Sequence, residues 1–597
     1  MFKHGPSLKE LSQSQPTNLT PLQLLIAESI LSEFDHPIES LFDFRLENLP
    51  SPFLLPDLLA AVVLLRKFVY EGKKILLYGD RDTDGVSSTS LLALFLKQRL
   101  KDPQLLEVKT SSEKDDYGLC PTVIERILKV HPDLLITLDF GTSNYDEINF
   151  LSKKGIQIVV LDHHEIPTRI PNCLLINPRR EDSLYPEKKI CTAVLAFKLV
   201  QAYLLIEAYE LENNKNLFPC FDIDFYKNLD YLGLLKSHPK ILEKSHQILD
   251  LASIGTITDL MPLVSENRVI VFNGCNSILN TLKSPTPDRI GLHVLLKNLS
   301  LNTEKITSKD LGWSIGPVLN AAGRMGKTET ALSLLLSENE EEASKLVQEI
   351  LELNKERKER TKRNLFRVDG YFSRKKEREE RSIIFCYEPD MEPGVSGIVA
   401  SKLVEVYKKP VVFVTPEHGK ARGSVRTFGN ENVIELFEMI SDLLIQHGGH
   451  PEAGGFSIEL DKIPLLEARL IEIGERWVKT SSKGNFTQSL VSLSPEELTA
   501  ELYQEISLLE PFGHANPVPI LSIKDAELVS FKILGDGNHA RFCILKSSPK
   551  IKGLVWNRGK ELFELLSKKS KIDLWGNLEE NYFNGTTSLQ FSVIHFE

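Results

Sequence analysis

The 597-residue chain reads as an α/β protein of several domains: a parallel-sheet domain, a long connecting helix, a second smaller α/β domain and a C-terminal β-barrel. Three observations predict this. Between Lys74 and about Phe272 short apolar runs alternate with helical stretches (KILLYGD, LLALFLKQRL, LLITLDF, IQIVVLDHH, AVLAFKLVQAYLL), and such alternation implies parallel strands covered on both faces. A shorter pattern of the same kind (SIIFCYEP, IVASKLVEVY, PVVFVTP) follows a highly charged stretch. The chain then closes with short strand-like runs and turn signals (VPILSIKDAELVSFKIL, ARFCILK, IKGLVW, KIDLWGNL, TSLQFSVIHF), the pattern of a small barrel.

In chain order, residues 1–70 form a helical entry region, marked by Leu58, Val62, Leu65 and Phe68 at helical spacing, with a frayed first twenty residues. Residues 71–300 hold the parallel sheet. Residues 301–380 contain a Gly-bounded polar motif and the charged helix, in which Asn354 to Arg381 carries twelve Lys/Arg against six Asp/Glu. A solvated connector and a basic helix beside a nucleic-acid channel both fit that run. Residues 381–480 form the second α/β domain and 481–597 the barrel. Its aromatics Phe542, Trp556, Tyr582 and Phe583 are expected to be core for at least half.

Composition narrows the function classes. Hydrophobic residues make up 42% and charged residues 26%, which excludes disorder and coiled coil as the main character. The net charge of -11 excludes an unselective polycation for nucleic acid, while leaving a local basic groove open. Seven scattered cysteines without a C-x-x-C pair indicate neither a disulfide framework nor a zinc ribbon, so a reducing cytoplasm is expected. The N-terminus lacks the apolar core of a signal peptide, and the most apolar run, Phe53 to Leu65, is broken by Pro56 and Asp57. The expectation is a soluble monomer that does not engage a membrane.

Three apolar runs end in acids or histidines: Asp80, Asp82 and Asp84; Asp139; and Asp162, His163 and His164. Ligands of open α/β sheets gather beyond the carboxyl ends of the strands, so these groups converge. Three alternate acids at one strand end call for cations to neutralise them. A calcium loop fails on spacing, because the twelfth position from Asp80 is Leu91 rather than a bidentate Glu. Adjacent histidines after a buried strand suit a site better than packing, one ring ligating while its neighbour meets substrate. The stretch LASIGTITDLMPL reads as an apolar helix, an odd place for Asp259 unless that acid has a partner. Carboxylates with imidazole and no thiolate suit Mn²⁺ or Mg²⁺, and two such ions about 3.5–4 Å apart suit phosphoester hydrolysis.

The order D-x-D-x-D-G, lone Asp, D-H-H and G-T-x-x-D-x-x-P-L resembles the DHH phosphoesterase superfamily. Gly312 to Gly326, Gly394 to Lys402, Gly423 to Thr427, Gly448 to Gly455 and Glu510 to Pro519 narrow the likeness to its RecJ family of single-strand-specific 5′-to-3′ DNA exonucleases. The likeness runs from about Leu58 to the C-terminus. It implies a DHH domain, a DHH-associated domain and an OB-fold. It implies metal ligation by Asp80, Asp82, Asp84, Asp139, His163 and Asp259, with Asp139 bridging and Asp84 among the catalytic acids. His164 is implied at the scissile phosphate, with Ser424, Arg426, His450, Asn320 and Arg324 binding or lining the substrate site. The implied partners are single-stranded DNA, a single-strand-binding protein and a helicase, in repair and recombination. Other classes remain as alternatives: a scaffold on the same fold without catalysis, or a hydrolase of short oligonucleotides or cyclic dinucleotides.

The chain also departs from the family pattern. Ser112 stands where the family has a phosphate-binding Arg, with Lys109 and Lys114 the candidate point-charge substitutes, which bears on any need for a 5′-phosphate. Arg81, Thr83 and Phe140 replace the usual neighbours of the acids, Gly454 stands where Ala is common, and Ile206 to Gln247 is an enlarged insertion.

Overall fold

The computed structural model describes residues 2–3, 20–31, 38–112, 115, 118–213, 220–226, 229–374, 376–417, 419–429, 431–478, 487–488, 490–535, 538–547, 550–583 and 586–597. The predicted fraying of the first twenty residues falls almost wholly outside them, as does Lys114. Two units divide the chain, the first comprising 1–320, 328–347 and 486–597, the second 321–327 and 348–485.

In the first unit, helices α1 (Pro21–Leu31) and α2 (Leu58–Glu71) precede the sheet, and α2 ends on Gly72 in the left-handed conformation. Strands β1 (Ile75–Gly79), β2 (Leu106–Thr110), β3 (Leu134–Leu138), β4 (Gln157–Leu161) and β5 (Leu174–Ile176) pair all-parallel in the order β2-β1-β3-β4-β5. Every residue of β1 and β3 is buried, which is why both read as unbroken apolar runs. Helix α3 (Thr83–Lys97) follows β1 directly, and the Asp82 side chain caps it by accepting from Gly85 N at 3.0 Å. Gly85 is required there: a Cβ would stand 2.7 Å from the Asp80 carbonyl oxygen.

Helices α4 (Thr192–Asn213) and α5 (Leu249–Thr258) pack against α3 and against each other. Among the described residues α4 alone is long and apolar enough to cross a membrane; 89% of its apolar window is buried as core. Helix α6 (Gly316–Arg324) begins in the first unit and ends in the second, and the charged run forms α7 (Glu340–Arg374). In the second unit Glu392 collects Arg363 at 2.8 Å and Arg367 at 2.6 Å, while Glu467 collects Arg378 and Arg381. Many of the basic residues of this segment are therefore committed to carboxylates.

The second unit's sheet contains β6 (Ile384–Tyr387), β7 (Val411–Glu417), β8 (Lys420–Arg426), β9 (Leu444–His450) and β10 (Ala453–Ile458), in the order β9-β10-β8-β7-β6. Only β6 and β7 are parallel. Helix α8 (Ser396–Tyr407) covers one face and α9 (Val433–Ile440) the other. Gly454, a departure from the family pattern, is explained by α9: a Cβ there would meet the Phe437 ring at 2.5 Å.

Back in the first unit, β11 (Val491–Leu493), β12 (Leu521–Ala526), β13 (Leu528–Leu534), β14 (His539–Ile544), β15 (Lys552–Val555), β16 (Ile572–Phe583) and β17 (Thr586–Phe596) form a seven-stranded sheet in the order β11-β12-β16-β17-β15-β14-β13. Leu22, Ile26, Ala27 and Ile30 of α1 complete its core. Phe542 is buried, Trp556 is exposed and Tyr582 is half-buried; the side chain of Phe583 lies outside the described set. Arg268, fully buried, donates to the Leu41, Glu510 and Pro511 carbonyls and so ties its helix to two connecting segments of this unit.

Candidate metal centre and phosphate site

The parallel register sets the ends of β1, β3 and β4 side by side, and the acid motifs leave the sheet at those ends. Asp80 N donates to Leu138 O and Asp139 N to Leu161 O, each extending the ladder by one rung. Asp139 then takes φ +74°, a strained conformation for a residue with a side chain. Asp259 lies at the C-cap of α5, one residue beyond the helix rather than within it.

These side chains converge. Ligand atoms of Asp80, Asp82 and Asp139 lie within 4.8 Å of one another, as do those of Asp84, His163 and Asp259, and those of Asp139, His163 and His164. His163 Nε2 sits 3.3 Å from Asp139 Oδ1 and 3.3 Å from Asp259 Oδ2. Burial and the neighbouring Asp82 carboxylate raise Asp80 and Asp84 to about 6. Burial and the same acids push Asp139 and Asp259 well above the carboxylate range. A buried group of like charges held this way is what divalent cations relieve.

The two imidazoles differ. The His163 side chain is 1% exposed and faces the acids, whereas His164 is 35% exposed and its Nδ1 lies 2.7 Å from Asp162 Oδ1. Asp162 is also held by Thr142 N at 2.9 Å, His163 N at 2.8 Å and His164 N at 3.1 Å. Burial lowers the His164 imidazolium, but the Asp162 charge and hydrogen bond outweigh it and raise the group to about 9. Asp162 thus orients a ring rather than joining the ligand groups.

Asn320 stands in the first unit, where its side-chain oxygen accepts from Thr83 N at 3.0 Å and braces the first acid motif. At Ser112 both the amide and the hydroxyl donate to Asp115 Oδ2, at 2.7 and 2.8 Å, and Arg126 pairs with the same carboxylate. Lys109 is paired with Glu107 at 2.8 Å.

The second unit holds Ser424, Arg426, His450 and Arg324. Across the strands Ala453 is directly opposite both His450 and Arg426, and Gly455 is opposite both Ser424 and Gly448. The period of two puts Ser424, Arg426 and His450 on one face, separated by positions with little or no side chain. The N-terminal turn of α8 closes on this face, where a Cβ on Gly397 would stand 2.8 Å from Arg426 Nη2. Among the described residues no carboxylate pairs with Arg426; its Nη1 donates to Val425 O at 2.7 Å, and burial lowers its pKa. A half-buried guanidinium beside a hydroxyl and a helix start is an arrangement for a phosphate. Arg324 lies with its carbonyl against Gly394, which takes φ +84°.

Three family models match the chain: the N-terminal domain of the DHH family over residues 74–221, the DHHA1 domain over 380–475 and the RecJ OB domain over 491–595. The chain is 28% identical over 544 residues to the single-stranded-DNA-specific exonuclease RecJ of Escherichia coli (strain K12), with 89% of each chain covered. It is 28% identical over 546 residues to the protein of that name from Bacillus subtilis (strain 168), covering 91% of this chain and 63% of that protein. The crystal structure of RecJ from Thermus thermophilus in complex with Mn²⁺ matches with a TM-score of 0.76 at 26% identity, over all of this chain and 78% of that one. The chain belongs to the RecJ family of the DHH superfamily.

In this RecJ-family chain the carboxylate and imidazole donors, with no thiolate among them, fit Mn²⁺ or Mg²⁺. Several residues that shape the centre carry no metal-type signature. Thr192 and Ala193, at the start of α4, donate their amides to Asp84 at 2.7 and 2.9 Å, and the Thr192 hydroxyl donates to Asp139 Oδ1 at 2.9 Å. Gly255 lets α5 approach, since a Cβ there would collide with Asp84 Oδ1 and stand 2.6 Å from Ala193 Cβ. The one local signal for these was a lone glycine within an apolar helix.

Proposed function

We propose that this chain hydrolyses single-stranded DNA from the 5′ end, releasing 5′-mononucleotides with two divalent ions bound among Asp80, Asp82, Asp84, Asp139, His163 and Asp259. One observation carries the reading: these six side chains, from four separate motifs, meet in overlapping groups that share Asp139 and His163. Bound there, Mn²⁺ or Mg²⁺ supplies Lewis-acid activation of water and neutralisation of the phosphodiester.

The chain's own residues do the rest. Asp139 and His163 belong to more than one ligand group and would link the ion-holding groups. His164, oriented through Nδ1 by Asp162, presents Nε2 as the nitrogen to meet the scissile phosphate, and the Asp162 carboxylate favours its protonated form. Ser424, Arg426 and His450 bind backbone phosphate on the sheet face of the second unit that the start of α8 borders. The RecJ-type OB domain grips the strand by stacking and backbone charge. A single-strand-binding protein and a helicase are the proposed assembly partners, and the cytoplasm the proposed site of action.

The deciding experiment is Mn²⁺-dependent degradation of a 3′-labelled single-stranded oligonucleotide, with and without a 5′-phosphate, by the wild type and by Asp139→Ala. Progressive shortening from the 5′ end that vanishes in the variant is expected. Strand binding without hydrolysis would replace the reading with a scaffold. Cleavage confined to dinucleotides would replace it with a small-substrate hydrolase.

A further inference from the structure

Helix α4 starts at the wall of the metal centre, and its first residue reaches two acids that belong to different ligand groups. The Thr192 and Ala193 amides hold both oxygens of Asp84, at 2.7 and 2.9 Å, which also satisfies two amides that a helix start leaves open. The Thr192 hydroxyl is directed elsewhere, to Asp139 Oδ1 at 2.9 Å, 53 residues away in sequence. Resting on the metal-centre reading above, we propose that the Thr192 hydroxyl is a positioning group that fixes the Asp139 carboxylate for ion binding.

Three features support this. The hydroxyl of this first helical residue bonds a carboxylate from another element, and the residue is 0% exposed. Threonine is β-branched, so its χ1 in a helix is restricted to two rotamers, and the one adopted directs the hydroxyl to Asp139. The oxygen it holds is the one 3.3 Å from His163 Nε2, while the terminal torsion of an aspartate is otherwise broad. One residue thereby couples the Asp80–Asp82–Asp139 group to the Asp84–His163–Asp259 group, through its hydroxyl and its amide respectively. Partners of this kind, one bond removed from the ion, set how ligands are aimed.

The test is calorimetric titration of Mn²⁺ into the metal-stripped full-length chain: wild type, Thr192→Val, Thr192→Ala and Thr192→Ser. Circular dichroism and Tm serve as controls on folding. Thr192→Val keeps the shape and loses the donor; its Mn²⁺ affinity is expected to fall about 10- to 100-fold, with Thr192→Ala falling alike and Thr192→Ser staying near wild type. Unchanged affinity in a folded Thr192→Val or Thr192→Ala would overturn the proposal, as would a loss in Thr192→Ser equal to that in Thr192→Val. If neither hydroxyl-less variant folds while Thr192→Ser does, the hydroxyl is a folding determinant and the proposal also falls. A wild type that binds no Mn²⁺ would instead remove the metal-centre reading itself.

Discussion

Asp162 Oδ1 and His164 Nδ1 stand 2.7 Å apart at the end of one buried strand, and that pairing makes His164 unlike the histidine beside it. With a pKa raised to about 9, the imidazolium contributes stability in full below its ordinary value of about 6.5 and loses that contribution as pH rises through about 9. Asp162→Asn removes the charge and much of the orientation. We expect kcat to fall by about 10²- to 10⁴-fold, the alkaline limb of activity to move toward neutrality, and Mn²⁺ affinity to hold. A pH–rate profile on single-stranded DNA, set beside a metal titration, checks this; an unshifted alkaline limb would remove the role assigned to Asp162.

Ion removal exposes the cost of the acid cluster. Asp80 and Asp84 are held at about 6 by burial and by Asp82, above their unfolded values, so the metal-free chain keeps protons that the unfolded chain releases. Its stability is therefore expected to decline as pH rises from about 4 through about 6. Mn²⁺ competes with those protons, so the rise in Tm on adding Mn²⁺ should grow across the same window. Thermal melts with EDTA or Mn²⁺ between about pH 4 and 7 test this, and a Tm increment independent of pH would contradict it.

The approach of α5 to Asp84 depends on a missing side chain. Gly255→Ala would drive a Cβ into Asp84 Oδ1 and toward Ala193. Overpacking at such a contact typically costs about 1–3 kcal/mol, and part of that strain falls on a carboxylate proposed to hold the metal. We expect a lower Tm and weaker Mn²⁺ binding together; a variant that melts as wild type and binds Mn²⁺ as tightly would show that α5 has slack here.

In the second unit, Arg426 has no carboxylate partner among the described residues and stands beside Ser424 and Gly397. Arg426→Ala, made in an Asp139→Ala background to prevent cleavage, should weaken binding of single-stranded DNA. It should also reduce the slope of log affinity against log salt by about 0.7, the value for one phosphate contact on a single strand. Fluorescence anisotropy over a salt series gives both numbers. An unchanged slope with lower affinity would point to lost packing rather than a lost phosphate contact.

Much of this centre was legible in sequence because its acids and histidines sit where local patterns end. A buried parallel strand is an unbroken apolar run, so the acids after KILLY, LLITL and IQIVVL were placed at one sheet edge before any tertiary contact was known. The lone acids were less secure. Asp259 read as part of an apolar helix and stands instead at its C-cap, where the chain turns back toward His163. On the charged helix, composition favoured a solvated connector and stayed compatible with a nucleic-acid face; the pairing of Arg363 and Arg367 with Glu392 required a segment 29 and 25 residues further along the chain.

By itself, then, the sequence determined the α/β class, the strand ends that carry acids and histidines, the chemistry of the ions they suit and the family whose motif order the chain follows. Tertiary structure decided which imidazole faces the acids and which is turned by Asp162, that Asp84 rests on the start of α4, that Thr192 reaches Asp139, and that Gly255 must lack a side chain. The division has a physical reason. Strand and helix periodicities and strand-end motifs are properties of neighbouring residues, whereas a hydroxyl meeting a carboxylate 53 positions away exists only after several layers have packed.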